Sequence, residues 1–551
     1  MSLLLPPTIL VTARPALRHR SSAVVAVSSS SNCRQKSTLH AEAVPSSSSS
    51  TATALNCQHF QVCSGCSQEW DLDRPHIVSE ASRFFQELGV SDFSFESGIL
   101  WEWRCRAKLA IRGTSEMPLV GLYEEGTHSV VDIPACRAHH PSVNAAVKLL
   151  KEGISVLDIQ PYDEDLGTGE LRYVQIATTT YSTSLPVAAR YQNGKVQVSL
   201  VWNSKNELSA SSEKLNALAA FLWKNGGPRS NTHLVHSIWV NFQTSTINRI
   251  FGNRWMHLLG HKDFWERIGG IDISLDPASF GQANTQAFNS LLRKLQSYVP
   301  YGSSVVDLYA GAGIIGLSVA ATRKCRSVKF VEINKESKLS FEKSLSRLPK
   351  HIDCSIFWHN ADASAEPLHW LRGSNVVIVD PPRKGLDQSL LDALMVISSQ
   401  KNSKALSGSI IREKEEKRPW VLRAREATVH VESKSRINWE KDQTWPEFLI
   451  YISCGWESFK EDCRFLLSNN AWHLEKAHGF NFFPGTQRYQ KCSLLLGTSS
   501  HGRVQAHRVR SQSRRRSRDS ASVLRPRCRR RSEECGSPFA RAQGRTACPT
   551  R

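Results

Sequence analysis

The sequence predicts an α/β fold: a mainly parallel, doubly wound sheet from about residue 271, preceded by an α+β domain that carries a four-cysteine site. Three observations predict it. From Ile271 onward, short apolar runs alternate with helical patterns, which is how parallel strands and their crossover helices read. The stretch "SSVVDLYAGAGIIGLSVA" (303–320) passes from an apolar strand through a glycine-rich turn into a helix. Ahead of that pattern stand Cys57, Cys63, Cys66 and Cys136.

The N-terminal segment, 1–50, has its own character. Residues 1–41 hold five Lys/Arg and no acid, and are rich in Ser, Ala and Val. This is the composition of an organelle transit peptide, running into a Ser-rich linker. The Ser and Val content favours chloroplast over mitochondrion. At the other end, 499–551 hold fifteen Arg and three acids without hydrophobic periodicity, which reads as a disordered basic tail. Of the net charge of +20, these two ends leave only +3 to the body. Net charge is therefore a weak argument for nucleic-acid binding by the folded part, and local patches must carry any such argument. No run approaches the ~18 apolar residues of a membrane span, so no membrane partner is expected. A monomer is expected.

The α+β domain is expected over 51–270. Its cysteines follow the spacing Cys57-x5-Cys63-x2-Cys66, with Cys136 seventy residues beyond Cys66. Thiols this close, downstream of a transit segment, suit ligands better than disulfides. On spacing alone, zinc and an iron–sulphur cluster are equally served. Cys105, Cys325, Cys354, Cys463 and Cys492 are assigned to packing. In "WEWRCRAKLAIRG" (101–113), Arg104, Arg106, Lys108 and Arg112 alternate with apolar residues, so all four share one strand face. With no acid among them they are expected to form a phosphate track for RNA.

The second domain is expected over 271–498, with a polar surface insert at about 401–447. Gly311 and Gly313 let backbone approach a ligand at the carboxyl end of the first strand. The strand "SVKFVEIN" (327–334) ends on Glu332, where an acid suits ribose hydroxyls. Asp362 follows a third strand, within reach of an adenine amine, and Asp380 opens Asp-Pro-Pro-Arg after a fourth. This series resembles a class I (Rossmann-like) S-adenosylmethionine methyltransferase. Cys454 ends the next strand, "FLIYIS" (448–453), on the same edge. Methylation at nitrogen or oxygen needs no thiol, whereas C5 of a pyrimidine is a poor nucleophile until a thiolate adds at C6. Gly455 is expected to leave room for a flat base beside the sulphur.

The constellation of "SFGQANTQAF" (279–288), "DLYAGAG", "VEIN", "VDPPRKGLD", "YISC" and "FFPGTQRYQKCSLL" (482–495) is similar to the RNA uracil-5 methyltransferase family. The resemblance implies that Gln282, Tyr309, Glu332 and Asp380 contact S-adenosylmethionine and that Cys454 is the nucleophile. It also implies a [4Fe–4S] cluster on the four cysteines, as in the family's ribosomal-RNA branch, with zinc as the alternative, and organellar ribosomal RNA as substrate. The chain departs from the family at Gly455-Trp456, where Asn-Pro is usual, and at Gln490, where the base is a glutamate. An amide is no base at neutral pH, and Glu457 or Asp462 could act in its place through water. Two other readings stay open: an RNA-binding relative with lost or slow turnover, and a methyltransferase on another RNA position such as cytosine C5.

Overall fold

The computed structural model describes residues 54–246, 249–397, 444–468, 472–486 and 491–498. The expectations for 1–50, for nearly all of the insert and for 499–551 lie outside the described residues, as does Gln490. Among the described residues the larger sheet has eight strands. Their spatial order is Ser94–Glu96, Trp472–Phe480, Lys491–Thr498, Phe448–Ser453, Val376–Val379, Ser304–Leu308, Ser327–Glu332 and Ser355–Asn360. Neighbours are parallel except at Lys491–Thr498, which is antiparallel to both of its own.

Alternation along these strands feeds two cores. Val305, Val376, Ile378, Ile450 and Ile452 enter one. Val306, Leu308, Val377, Val379, Leu449 and Tyr451 enter the other. A sheet buried on both faces needs such continuous apolar strands, and the expected doubly wound α/β fold is what forms. The chain starts the parallel part at Ser304–Leu308, steps outward through two strands, then crosses back to Val376–Val379 on the other side. Strand order thus reverses between Leu308 and Val379, and such a point opens a crevice at the carboxyl ends.

The smaller sheet has seven strands between Val130–Asp132 and Arg254–Gly260 at its edges, antiparallel except where Lys195–Trp202 meets Val235–Phe242. The helices Pro141–Val156 and Ser212–Gly226 cover one face, where Val147, Leu150, Leu218 and Leu222 pack on Leu109, Ile111 and Val198. A hairpin, Trp265–Ile268 and Ile271–Ser274, leads to the larger sheet. Its turn, Gly269-Gly270, has φ of 62° and 85°, the two left-handed positions of a tight hairpin.

The division expected near 270 is crossed by the segment 77–96. The helix Ile77–Glu87 buries Val78, Ala81, Phe84 and Phe85 on one stripe. Phe84 and Phe85 join Tyr451 and Phe459 in the core of the larger sheet, each ring worth roughly 1.5–3 kcal/mol when fully buried. The strand Ser94–Glu96 then extends that sheet at its edge. Among the described residues no helix is long and apolar enough to cross a membrane.

Candidate active site

The crevice at the reversal is a cavity of about 470 Å³. Gln282, Tyr309, Gly311, Asp380 and Cys454 all line it, although they are spread over more than 170 residues of sequence. The reason is topological. Tyr309 follows Ser304–Leu308, Asp380 follows Val376–Val379, and Cys454 follows Phe448–Ser453, three adjacent parallel strands ending on one edge. Tyr309 adopts φ 60°, and its hydroxyl donates to Asp387 at 3.3 Å. Burial and that carboxylate push its phenol up, so it stays protonated. Gly311 also adopts positive φ (56°), and no atom lies within 4 Å of where a Cβ would stand, so the turn presents bare backbone.

Glu332 does not line the cavity; it builds it. One carboxylate oxygen accepts the Gly311 N–H at 2.7 Å and the other accepts Asn334 N–H at 2.7 Å, fixing the glycine turn to the next strand. Asp362 is exposed and accepts both the N–H and the hydroxyl of Ser364, which lower its pKa. It too lies off the cavity lining. Sequence reasoning missed Asp307. This fully buried strand residue accepts Gly316 N–H at 2.8 Å, holding the helix start behind the turn. Burial raises its carboxyl to about 8. The signal was the single acid inside the apolar run "SVVDL".

The space expected beside Gly455 is filled. A Cβ there would lie 2.3 Å from the Arg383 carbonyl oxygen, so glycine is required by the approach of the Asp-Pro-Pro-Arg backbone, and the room is not for a base. Trp456 starts the helix Trp456–Leu467, and its Nε1 donates to Glu80 at 2.6 Å, tying the strand end to the N-terminal helix. Neither suggested substitute base faces the cavity. Asp462 accepts Tyr451 OH at 2.6 Å and Leu386 N–H at 2.9 Å, and Glu457 pairs with Lys460 at 3.0 Å.

A second cavity, about 330 Å³, is lined by Cys57, Cys63, Cys66 and Cys136. None of the four is in a disulfide. Burial raises the thiols of Cys63 and Cys136 and takes Cys66 to about 12, its neighbours in the set adding to the rise. Left alone these would be neutral thiols, and a cationic centre is what would hold them as thiolates. Among the described residues no group of three or more His, Cys, Asp or Glu is arranged to hold a metal ion. Arg383 and Phe483 line both cavities, which therefore share a wall.

Comparison with known proteins is consistent with this geometry. The family described as Conserved hypothetical protein 95 matches residues 279–436. An uncharacterized RNA methyltransferase of Protochlamydia amoebophila is 34% identical over 442 residues, covering 80% of this chain and 97% of that protein. The chain belongs to the RNA methyltransferases. The 23S rRNA (uracil(747)-C(5))-methyltransferase RlmC of Yersinia pestis is 24% identical over 71% of this chain and 85% of its own. The structure of the Pyrococcus abyssi tRNA (uracil-54, C5)-methyltransferase in complex with S-adenosyl-L-homocysteine shares the fold. Its TM-score is 0.50 at 20% identity, covering 75% of this chain and 81% of that one.

In this methyltransferase the expected phosphate track is not open. Arg112 is paired with Glu164 and stacked on Tyr173 at 5.2 Å. Arg106 lies over Phe264 at 5.1 Å, beside the buried Glu266, and a Cβ on Gly281 would be 2.7 Å from its Cζ. Arg104 stacks on Trp103 at 4.8 Å and lines the cysteine cavity. Only Lys108 of the four is exposed, with Nζ 4.6 Å from the Phe251 ring. The alternation was right, but the charges are spent on the interior.

Proposed function

We propose that this RNA methyltransferase transfers a methyl group from S-adenosylmethionine to C5 of uridine in organellar ribosomal RNA, through a covalent adduct at Cys454. The observation that carries the reading is a thiol and a carboxylate, Cys454 and Asp380, on one cavity at the strand reversal. Nitrogen or oxygen methylation would leave that thiol without a purpose. RlmC, by name a uracil-C5 enzyme, supports the choice of base and of ribosomal RNA. The acid-free, Ser-rich N-terminus supports an organelle, the chloroplast before the mitochondrion.

Bound S-adenosylmethionine supplies an electrophilic methyl group. Gln282, Tyr309 and the Gly311 backbone line the space for it, with Glu332 holding the turn and Asp380 placed to accept from its polar groups. Cys454 Sγ, as thiolate, adds to uracil C6, and the electron pair moves to C5 and O4. The C5 electron pair takes the methyl group as its bond to the sulfonium sulphur breaks, and S-adenosylhomocysteine is released. A base then removes the C5 proton, the electron pair re-forms the C5–C6 double bond, and the thiolate leaves. Cys57, Cys63, Cys66 and Cys136 would hold a [4Fe–4S] cluster whose contribution is structural, because this sequence of bond changes is redox-neutral.

Gln490 stands at the base position, so release is the slow step. Incubation with S-adenosylmethionine and organellar ribosomal RNA is expected to give a protein–RNA band resistant to denaturing gels. Gln490→Glu should convert that band to free, methylated RNA. Many turnovers by the native chain without an accumulating band would show that another group takes the proton.

A further inference from the structure

The cations spent inside the smaller sheet leave open what holds the RNA away from the methylated base. A groove of about 1040 Å³ lies between loops of that sheet and the end of the helix Ser337–Ser346. Lys195, His233, His236, His261, Lys262 and Arg347 line it. Lys195 Nζ sits 2.9 and 2.7 Å from the two ring nitrogens of His233, and the rings of His236 and His261 stack at 5.3 Å. Among the described residues lining the groove the one carboxylate is Asp263, already bound by Lys343 at 2.5 Å. Burial and the nearby Lys195 lower the pKa of His233 and of His236, so the fixed cations are Lys195, Lys262 and Arg347. Gathering these like charges costs Coulomb energy, and an external polyanion offsets that cost. In the run 179–184, "TTYSTS", the hydroxyls of Thr179, Thr180 and Tyr181 already donate to the Trp265 carbonyl, Glu266 and Asp272, and those of Ser182, Thr183 and Ser184 add neutral donors suited to phosphate oxygens. Arg347 lies 3.5 Å over the Trp265 ring and 3.4 Å from the Tyr181 hydroxyl, which holds its guanidinium on the groove wall.

We propose that this groove binds the phosphodiester backbone of an RNA segment remote from the methylated base. RNA is favoured over an acidic polypeptide because the chain belongs to the RNA methyltransferases and the groove joins three cations to hydroxyl donors, the pairing that phosphate oxygens take. The location adds a constraint. The strand Ser327–Glu332 ends at the carboxyl edge, so the helix after it runs back and brings Arg347 to the opposite end of the sheet from Cys454. An RNA that touches both is therefore long or folded. The proposal rests on the reading that RNA is the substrate.

The test is fluorescence anisotropy of a labelled oligouridylate of about 40 nucleotides, titrated at several salt concentrations. Native chain is compared with Lys195→Gln/Lys262→Gln. The double variant is expected to bind about tenfold more weakly at moderate salt, with the slope of log K against log salt shallower by about 1.4 for two lost contacts. S-adenosylhomocysteine binding should be unchanged, which also certifies the fold. Protection of Lys262 from acetylation by the same RNA, read by peptide mass spectrometry, checks the site without any substitution. An unchanged slope overturns the groove and leaves methyl transfer standing. Protection by inorganic phosphate but not by RNA overturns it in favour of a small-anion site. A native chain that shows the slope and the protection yet transfers no methyl group to any RNA overturns the proposed reaction and leaves the groove standing.

Discussion

Cys454→Ala is expected to lower methyl transfer by about a thousandfold or more, because it removes the group that makes C5 reactive rather than one that merely positions it. The loss should fall on the rate and not on donor affinity. Cys454 is one wall of a cavity whose other lining groups, Gln282, Tyr309 and Gly311, are untouched by the change. Stability should hold as well. The residue is half-buried at the end of a strand whose packing comes from Phe448 to Ile452, so deleting one sulphur is a change within about 1 kcal/mol. Labelled methyl transfer, calorimetric binding of S-adenosylhomocysteine and a thermal melt separate these quantities. A variant that keeps the native rate would return Cys454 to the status of a cysteine that happens to end a strand.

The proposed cluster predicts that Cys66→Ala loses it and, with it, order in the wall of the active site. Anaerobically purified native protein should be brown, with broad absorption near about 400 nm, and the variant colourless. The structural consequence follows from what the Cys66 segment holds. Ser67 N–H and Gln68 N–H both donate to the Gly485 carbonyl, at 2.9 and 3.0 Å, and a Cβ on Gly485 would lie 3.4 Å from Cys66 Sγ. Phe483, two residues earlier, faces both cavities. Metal–thiolate ligation is folding free energy, so its loss should cost several kcal/mol and lower Tm by roughly 2–4 °C per kcal/mol for a domain of this size. Activity should fall with it. Colourless native protein carrying stoichiometric zinc would replace the proposed cluster with a single ion.

How much was legible in the sequence follows from the range of the forces involved. Tyr309, Asp380 and Cys454 could be brought together on paper because strand ends in a parallel sheet share an edge, and apolar runs mark where strands end. The cation track failed for the opposite reason. Its alternation was correct, but Glu164 and Glu266, which absorb Arg112 and Arg106, come from a distant turn and a distant hairpin strand that no local pattern reveals. Gly455 was misread in the same way, because the carbonyl that excludes a side chain there belongs to Arg383. The N-terminal helix was counted with the wrong half, since its amphipathic stripe says that it packs and not on what. Asp307 was passed over because one acid in an apolar strand looks like noise until its Gly316 partner is seen.

The central claim is the atom that is methylated, and nucleoside mass spectrometry tests it most directly. Organellar ribosomal RNA is incubated with the protein and isotopically labelled S-adenosylmethionine, digested to nucleosides after proteolysis of any adduct, and resolved by mass and retention. The account predicts label in 5-methyluridine with Gln490→Glu, label in a C6-cysteinyl adduct of 5-methyl-5,6-dihydrouridine that resolves slowly to 5-methyluridine with native protein, and none with Cys454→Ala. Label in 5-methylcytidine, in a ring-nitrogen or 2′-O-methyl nucleoside, or equal label with Cys454→Ala, would contradict it.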